Sequence, residues 1–132
     1  MEHLACRRTM PPRRILICDD EAPMRELVRV VLEDGEAYEF LEAADGLRCL
    51  ALARSMKPDL VVLDVMLPGK GGLEVLAAIR RDPDLAGAPV VVVTAWDHLA
   101  AEASAAGADR FLLKPFEPEQ LREAAAELLA GR

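Results

Sequence analysis

ILICDD, residues 15–20, is a short apolar run that stops at two aspartates. Four apolar residues followed directly by acids predict a strand that is buried on both faces and lies in a parallel sheet. Further apolar runs end in the same way at Asp64, Thr94 and Lys114. Because the carboxyl ends of parallel strands line one crevice, we expect these side chains to meet there. Such a set of carboxylates, hydroxyl and ammonium can bind a divalent cation and a phosphoryl group together.

The remaining sequence alternates between strand and helix patterns. We predict strands over residues 14–18, 38–43, 60–63, 90–93 and 111–113. Helices are predicted from residue 23 to before 35, over 47–56, from 73 to near 82, over 99–106, and from 118 onwards. Five strands that alternate with five helices indicate βαβ units, with helices covering both faces of a parallel sheet.

Length and charge limit what the chain can do. Its 132 residues suffice for one domain, and no apolar stretch approaches the ~18–20 residues that span a bilayer. The net charge of −7 argues against a nucleic-acid surface. The arginine-rich start lacks the continuous apolar region of a secretory signal. We therefore expect a flexible tail over residues 1–12, one domain over 13–132, and no second domain or linker.

The three cysteines, Cys6, Cys18 and Cys49, are widely spaced and include no CxxC motif. This pattern predicts neither a zinc site nor a disulfide framework, and it is typical of a reducing cytoplasm. Cys18 lies in the first predicted strand, where we expect it to act as a small, inert apolar side chain.

Four motifs, taken together and in order, carry a family resemblance. They are ILICDDE (15–21), VVLDVMLPGKGG (61–72), VVVTA (91–95) and FLLKPF (111–116). Over roughly residues 13–131 the chain resembles the receiver domain of two-component response regulators, in the CheY-like superfamily. The resemblance implies a doubly wound α/β fold of the flavodoxin type, with a five-stranded parallel sheet in the order 2-1-3-4-5.

The same resemblance assigns roles to the acids. Asp64 would be the phosphoacceptor, with Asp20, Asp64 and the backbone carbonyl of Met66 as direct ligands of Mg²⁺ or Mn²⁺. Asp19 would act mainly through a metal-bound water, and Glu21 is left as a capping or peripheral residue. A cation is expected because two unit charges ~4 Å apart repel by ~4 kcal/mol at an effective dielectric of ~20. Read in isolation, the acid pair could instead cap the following helix.

Further roles follow for residues near the other strand ends. Lys114 would pair with Asp64 and later with the phosphoryl group, and its bond to Pro115 is expected to be cis, which would aim the lysine into the crevice. Thr94 would donate its hydroxyl to the phosphoryl group. Phe111 is either the aromatic that rotates inward on activation or a static core residue. Trp96 either covers the phosphate, meets a partner, or anchors its loop.

The segment from Thr94 to Lys114 is two residues shorter than the family pattern. The missing residues fall in the loop after Thr94 or in the alanine-rich helix over 99–106. In the family this helix normally belongs to the face that changes on phosphorylation and contacts partners, so this chain departs from the family pattern at the face through which dimers would form.

The resemblance implies one partner that supplies the phosphoryl group and another that receives the signal. A histidine kinase or histidine phosphotransfer protein would supply the phosphoryl group, and a downstream protein or separate output domain would receive the signal. A phosphorylation-dependent dimer is a further expectation, and direct contact with nucleic acid is not expected. The domain would catalyse its own phosphorylation and dephosphorylation without being a turnover enzyme.

Three other functions compete with this interpretation. A phosphate-binding NTPase fails because GxxxxGK[ST] is absent. A Mg²⁺-dependent phosphohydrolase commonly has a second acid two residues after its nucleophile, where this chain has Met66. A receiver fold that only docks partners usually loses an acid or the lysine, and this chain retains them.

Overall fold

The computed structural model describes residues 12–33, 38–67, 69 and 71–131. Its strands are β1 (Arg13–Cys18), β2 (Tyr38–Ala43), β3 (Leu60–Asp64), β4 (Val90–Thr94) and β5 (Arg110–Leu113). Its helices are α1 (Ala22–Glu33), α2 (Gly46–Met56), α3 (Gly72–Arg81), α4 (Ala100–Ala105) and α5 (Pro118–Ala130). Nearly all of the predicted N-terminal tail lies outside the described residues.

The strands form one parallel sheet in the order β2-β1-β3-β4-β5. This confirms the predicted doubly wound topology, with β1 held between β2 and β3. The predicted helix over 99–106 is shorter than expected. A 3-10 turn at Asp97–Leu99 precedes α4, and Gly107 follows it with a φ of +107°. Glycine reaches that conformation without steric penalty, so it ends the helix as predicted.

The core is divided into two layers by the sheet. Side chains alternate along β1, so Leu16 and Cys18 belong to one layer whereas Ile15 and Ile17 belong to the other. The first layer includes buried residues of α2, α3 and α4, and the second includes those of α1 and α5. Every residue of β3 and β4 is buried, as their continuous apolar sequences predict. Among the helices of the described residues, none has the length and apolar character needed to cross a membrane.

The structure contradicts the prediction that the cysteines are unpaired. A disulfide joins Cys18, the last residue of β1, to Cys49 near the start of α2, with their Cα atoms 6.0 Å apart. The two residues are 31 positions apart, and they meet because α2 packs on the face of the sheet to which Cys18 points. Sequence spacing does not reveal such a pairing. Cys6 lies outside the described residues.

A glycine joins α3 closely to the end of β3. The Gly72 N–H donates to the carbonyl of Val65 at 2.9 Å. A Cβ atom at Gly72 would lie 2.4 Å from the Asp64 carbonyl oxygen and 2.5 Å from the Val65 Cα atom. Both neighbours are backbone atoms, which cannot move aside by changing rotamer. The absence of a side chain at residue 72 therefore sets how closely α3 approaches Asp64.

We predict that Gly72→Ala lowers the free energy of unfolding by about 2–3 kcal/mol, because the added methyl group must displace backbone. Urea unfolding followed by circular dichroism measures the change. Gly87→Ala is the matched control, since a Cβ there meets no heavy atom within 4 Å. The control should be neutral or stabilising by up to about 1 kcal/mol. Equal stability of the two variants would contradict the close packing of Gly72 against the backbone of Asp64 and Val65.

Candidate functional site

The carboxyl ends of β1, β3, β4 and β5 meet at one crevice, as the strand-end pattern predicts. The crevice encloses a cavity of about 250 Å³. Its lining residues are Asp20, Glu21, Asp64, Met66, Thr94, Ala95, Trp96 and Lys114. Acids from β1 and β3 thus face a hydroxyl from β4 and an amine from the end of β5.

Lys114 bridges two buried carboxylates in this crevice. Its Nζ atom lies 2.8 Å from Asp19 Oδ2 and 3.0 Å from Asp64 Oδ2. The side chains of Lys114, Asp19 and Asp64 are only 13%, 5% and 8% exposed. Burial reduces solvent screening, so these charges interact more strongly than a surface pair. Sequence reasoning anticipated the contact with Asp64 but not the contact with Asp19.

The backbone holds each partner of this bridge in place. Asp64 Oδ1 accepts a hydrogen bond from the Met66 N–H at 2.9 Å, and Asp19 Oδ1 accepts one from the Glu21 N–H at 2.9 Å. The Lys114 N–H donates to the Thr94 carbonyl at 2.7 Å. The Lys114–Pro115 peptide bond is cis, as predicted. Each carboxylate therefore has one oxygen bound to backbone and the other facing the ammonium.

The charges alter one another's protonation. Burial raises the pKa of the Asp64 carboxyl above its ordinary value, although the Met66 N–H and the Lys114 ammonium act to lower it. Burial by itself would lower the pKa of Lys114, but hydrogen bonds and charges from Asp19 and Asp64 outweigh it and raise that pKa. The two carboxylates therefore favour the charged form of Lys114, whereas burial works against the charged form of Asp64.

An acidic group beside the bridge has the donor chemistry of a cation site. Carboxylate oxygens of Asp19, Asp20 and Glu21 all lie within 4.8 Å of one another. Asp19 is buried whereas Asp20 and Glu21 are exposed, so the group opens to solvent. Oxygen ligands of this kind suit Mg²⁺ or Mn²⁺. Glu21 was not predicted as a site residue, although its place as the third acid in a continuous run was a usable signal.

The other predicted residues lie around the crevice. Thr94 is fully buried, and its Oγ1 accepts a hydrogen bond from the Trp96 N–H at 3.3 Å. The Trp96 side chain is 49% exposed and meets the His98 ring edge-on with centroids 5.7 Å apart, so it lies at the crevice mouth and is not buried against the sheet. Phe111 is partly buried against the first core layer. Its role in switching stays a prediction.

Comparison with known proteins shows the family of this chain. The sequence profile of the family described as "Response regulator receiver domain" matches residues 15–126. The chain belongs to the response regulator receiver family. The receiver is 39% identical over 114 residues to the DNA-binding response regulator MtrA of Mycolicibacterium paratuberculosis, covering 83% of this chain and 48% of MtrA. It therefore spans about half the length of that relative.

Solved receiver structures share the fold. Chemotaxis response regulator CheY4 of Vibrio cholerae superposes with a TM-score of 0.81 at 31% identity, over 89% of this receiver and 99% of CheY4. The Mn²⁺-bound form of response regulator Rcp1 superposes with a TM-score of 0.79 at 28% identity, over 89% of this receiver and 95% of Rcp1.

We predict that Asp64→Asn stabilises the receiver in EDTA at neutral pH. The raised pKa of Asp64 means that its ionised form is disfavoured in the folded state, and Lys114 keeps Asp19 as a partner. An acid whose folded pKa is raised loses stability as pH rises through that pKa. The advantage of asparagine should therefore be present at neutral pH and vanish as pH falls towards 3.8, the ordinary value.

Urea unfolding of wild type and variant across this pH range measures the difference. Asp84→Asn is the matched control, because Asp84 is an exposed residue in the loop that leads into β4, at the opposite end of the sheet. It should show no comparable pH-dependent gain. If Asp64→Asn is less stable than wild type at neutral pH, burial does not outweigh the contact of Asp64 with Lys114, and the prediction is wrong.

Proposed function

We propose that the receiver accepts a phosphoryl group on Asp64 from a phosphohistidine of a histidine kinase or histidine phosphotransfer protein. An Asp64 carboxylate oxygen attacks phosphorus, the phosphorus–nitrogen bond to imidazole breaks, and the imidazole leaves as it takes up a proton. The product is an aspartyl phosphate. The supporting observation is the Asp64 carboxylate itself, which faces a cavity and lies 3.0 Å from the Lys114 ammonium.

A divalent cation is part of this proposal. Asp19, Asp20, Asp64 and the Met66 carbonyl would hold Mg²⁺ or Mn²⁺, and Glu21 lies close enough to Asp19 and Asp20 to join the set. The bound cation would offset the repulsion between the carboxylates and the incoming phosphoryl group. The Mn²⁺-bound Rcp1 structure supports a cation in a receiver of the same fold.

The protein's own groups would then stabilise the charge that moves onto the phosphoryl oxygens. Lys114 would exchange a carboxylate partner for a phosphoryl oxygen, which its position between two acids allows without a large movement. Thr94 would donate its hydroxyl to another phosphoryl oxygen, and Phe111 would repack behind β4. Catalysis by this set is positioning and charge stabilisation. The receiver would end the signal by its own dephosphorylation and is not a turnover enzyme.

The signal would leave the receiver through protein contacts in the cytoplasm. MtrA, which is about twice the length of the matched region, is a DNA-binding response regulator. An output domain or a separate target protein is therefore the proposed recipient, and a phosphorylation-dependent dimer is one form of that contact. Direct binding of nucleic acid by the receiver is not proposed, because its net charge is −7.

Acetyl phosphate tests the phosphoacceptor. With Mg²⁺, we expect intact mass spectrometry to show one added phosphoryl group on wild type and on the Asp84→Asn control. Asp64→Asn should show none, and EDTA should abolish the addition to wild type. If wild type gains no phosphoryl group and binds neither Mg²⁺ nor beryllofluoride, the function is not phosphotransfer and a phosphate-independent docking module is left. An adduct that persists in Asp64→Asn would place the acceptor elsewhere.

Tryptophan fluorescence tests the cation site separately. Trp96 is the only tryptophan in the sequence and lines the crevice, so Mg²⁺ binding should change its emission. We predict that Asp20→Asn weakens Mg²⁺ binding by at least about tenfold, because it removes a charged oxygen ligand. Asp84→Asn should titrate like wild type. Equal affinities of Asp20→Asn and wild type would remove Asp20 from the ligand set.

A further inference from the structure

The buried cysteine pair lies outside the proposed phosphoryl chemistry. Cys18 and Cys49 are 1% and 0% exposed, and a disulfide links them across 31 positions of sequence. Their Cα separation of 6.0 Å is within the range that native disulfides span.

Noncovalent contacts hold the backbone at both cysteines. Cys18 pairs with Ala43 of β2 and Leu63 of β3, so neighbouring strands hold it on both sides. The start of α2 is held by Asp45, whose side chain accepts from the Arg48 N–H at 2.8 Å and whose carbonyl accepts from the Cys49 N–H at 3.0 Å. Pairing is therefore a property of the native packing of β1 against α2.

The disulfide forms a covalent loop that contains α1 and the edge strand β2. Between the two cysteines lie α1 and β2, and β2 is an edge strand of the sheet. In the bonded form, α2 cannot separate from the end of β1, and the edge of the sheet is closed by a covalent loop. The next residue, Asp19, is already held by its N–H bond to the Ala43 carbonyl at 3.1 Å. The disulfide thus adds a covalent link beside the hydrogen bond that already joins Asp19 to Ala43.

We propose that Cys18 and Cys49 are a reversible dithiol–disulfide pair whose oxidation locks β1 to α2 and makes receiver stability depend on thiol redox state. The oxidant is a low-molecular-weight disulfide such as oxidised glutathione. One cysteine thiolate attacks the glutathione disulfide and releases one reduced glutathione; the other thiolate then attacks this mixed disulfide and releases the second, and each thiol proton passes to a departing glutathione. Because both sulfurs are buried, the exchange takes place when the junction of β1 and α2 opens transiently. Reversibility rests on the proposed cytoplasmic location, because disulfides in reducing compartments are usually transient or redox-sensing. The inference rests on cysteine placement and is independent of phosphorylation at Asp64.

Redox titration of a Cys6→Ser variant tests the pairing, because it leaves only these two thiols. The folded protein is equilibrated with graded mixtures of reduced and oxidised glutathione, quenched with acid, and labelled with N-ethylmaleimide in denaturant. Intact mass should show a direct change from two labels to none as the oxidised fraction rises. Two free thiols at every ratio, or glutathione held on a single cysteine as the main product, would overturn the proposal.

Thermal unfolding tests the consequence. Because a disulfide restricts the unfolded chain, the oxidised Cys6→Ser protein should unfold on the order of 10 °C above its reduced form. Adding Cys49→Ala or Cys18→Ala to that background should abolish the redox difference, and either variant suffices if the other folds poorly. The proposal is wrong if the oxidised and reduced forms have equal unfolding temperatures. It is also wrong if the difference in unfolding temperature persists in the alanine variants.

Discussion

The ammonium of Lys114 lies between two buried carboxylates, and the arrangement of the site depends on this contact. Without a cation between them, Asp19 and Asp64 would repel each other in a poorly screened environment. The lysine joins the end of β5 to the ends of β1 and β3, so electrostatics connect β5 to two strands with which it does not pair. In the proposed function, the same ammonium would bind an oxygen of the phosphoryl group.

Rigid backbone supports this charged cluster. The Asp64 carboxylate is oriented by the Met66 N–H, and the Gly72 N–H bonds to Val65 where α3 begins. The backbone of α3 therefore packs directly against the segment that carries the proposed acceptor. Such close support would keep the groups of the proposed reaction in position, and positioning is the main source of rate in that proposal. Stability and chemistry are consequently linked at the end of β3.

The end of β1 combines two kinds of chemistry in adjacent residues. Cys18 points into the first core layer and bonds to Cys49, whereas Asp19 points to the crevice and bonds to Lys114. Alternation along the strand separates them onto different sides. The acids of the proposed cation site thus follow directly from a strand that is fixed by hydrogen bonds on both edges and by a covalent bond on one face.

Local pattern predicted the parallel α/β sheet and the edge at which the site residues meet, whereas the strand order and the individual residue roles came from the family resemblance. Apolar runs that stop at Asp19, Asp64, Thr94 and Lys114 determined the strands and the edge at which these residues meet, because parallel strands share one carboxyl end. Only the tertiary structure showed that Lys114 reaches Asp19, 95 positions away, and that Cys18 bonds to Cys49. Those contacts depend on how strands and helices pack across the sheet. Periodicity reports which face a side chain occupies but not which distant side chain it meets there.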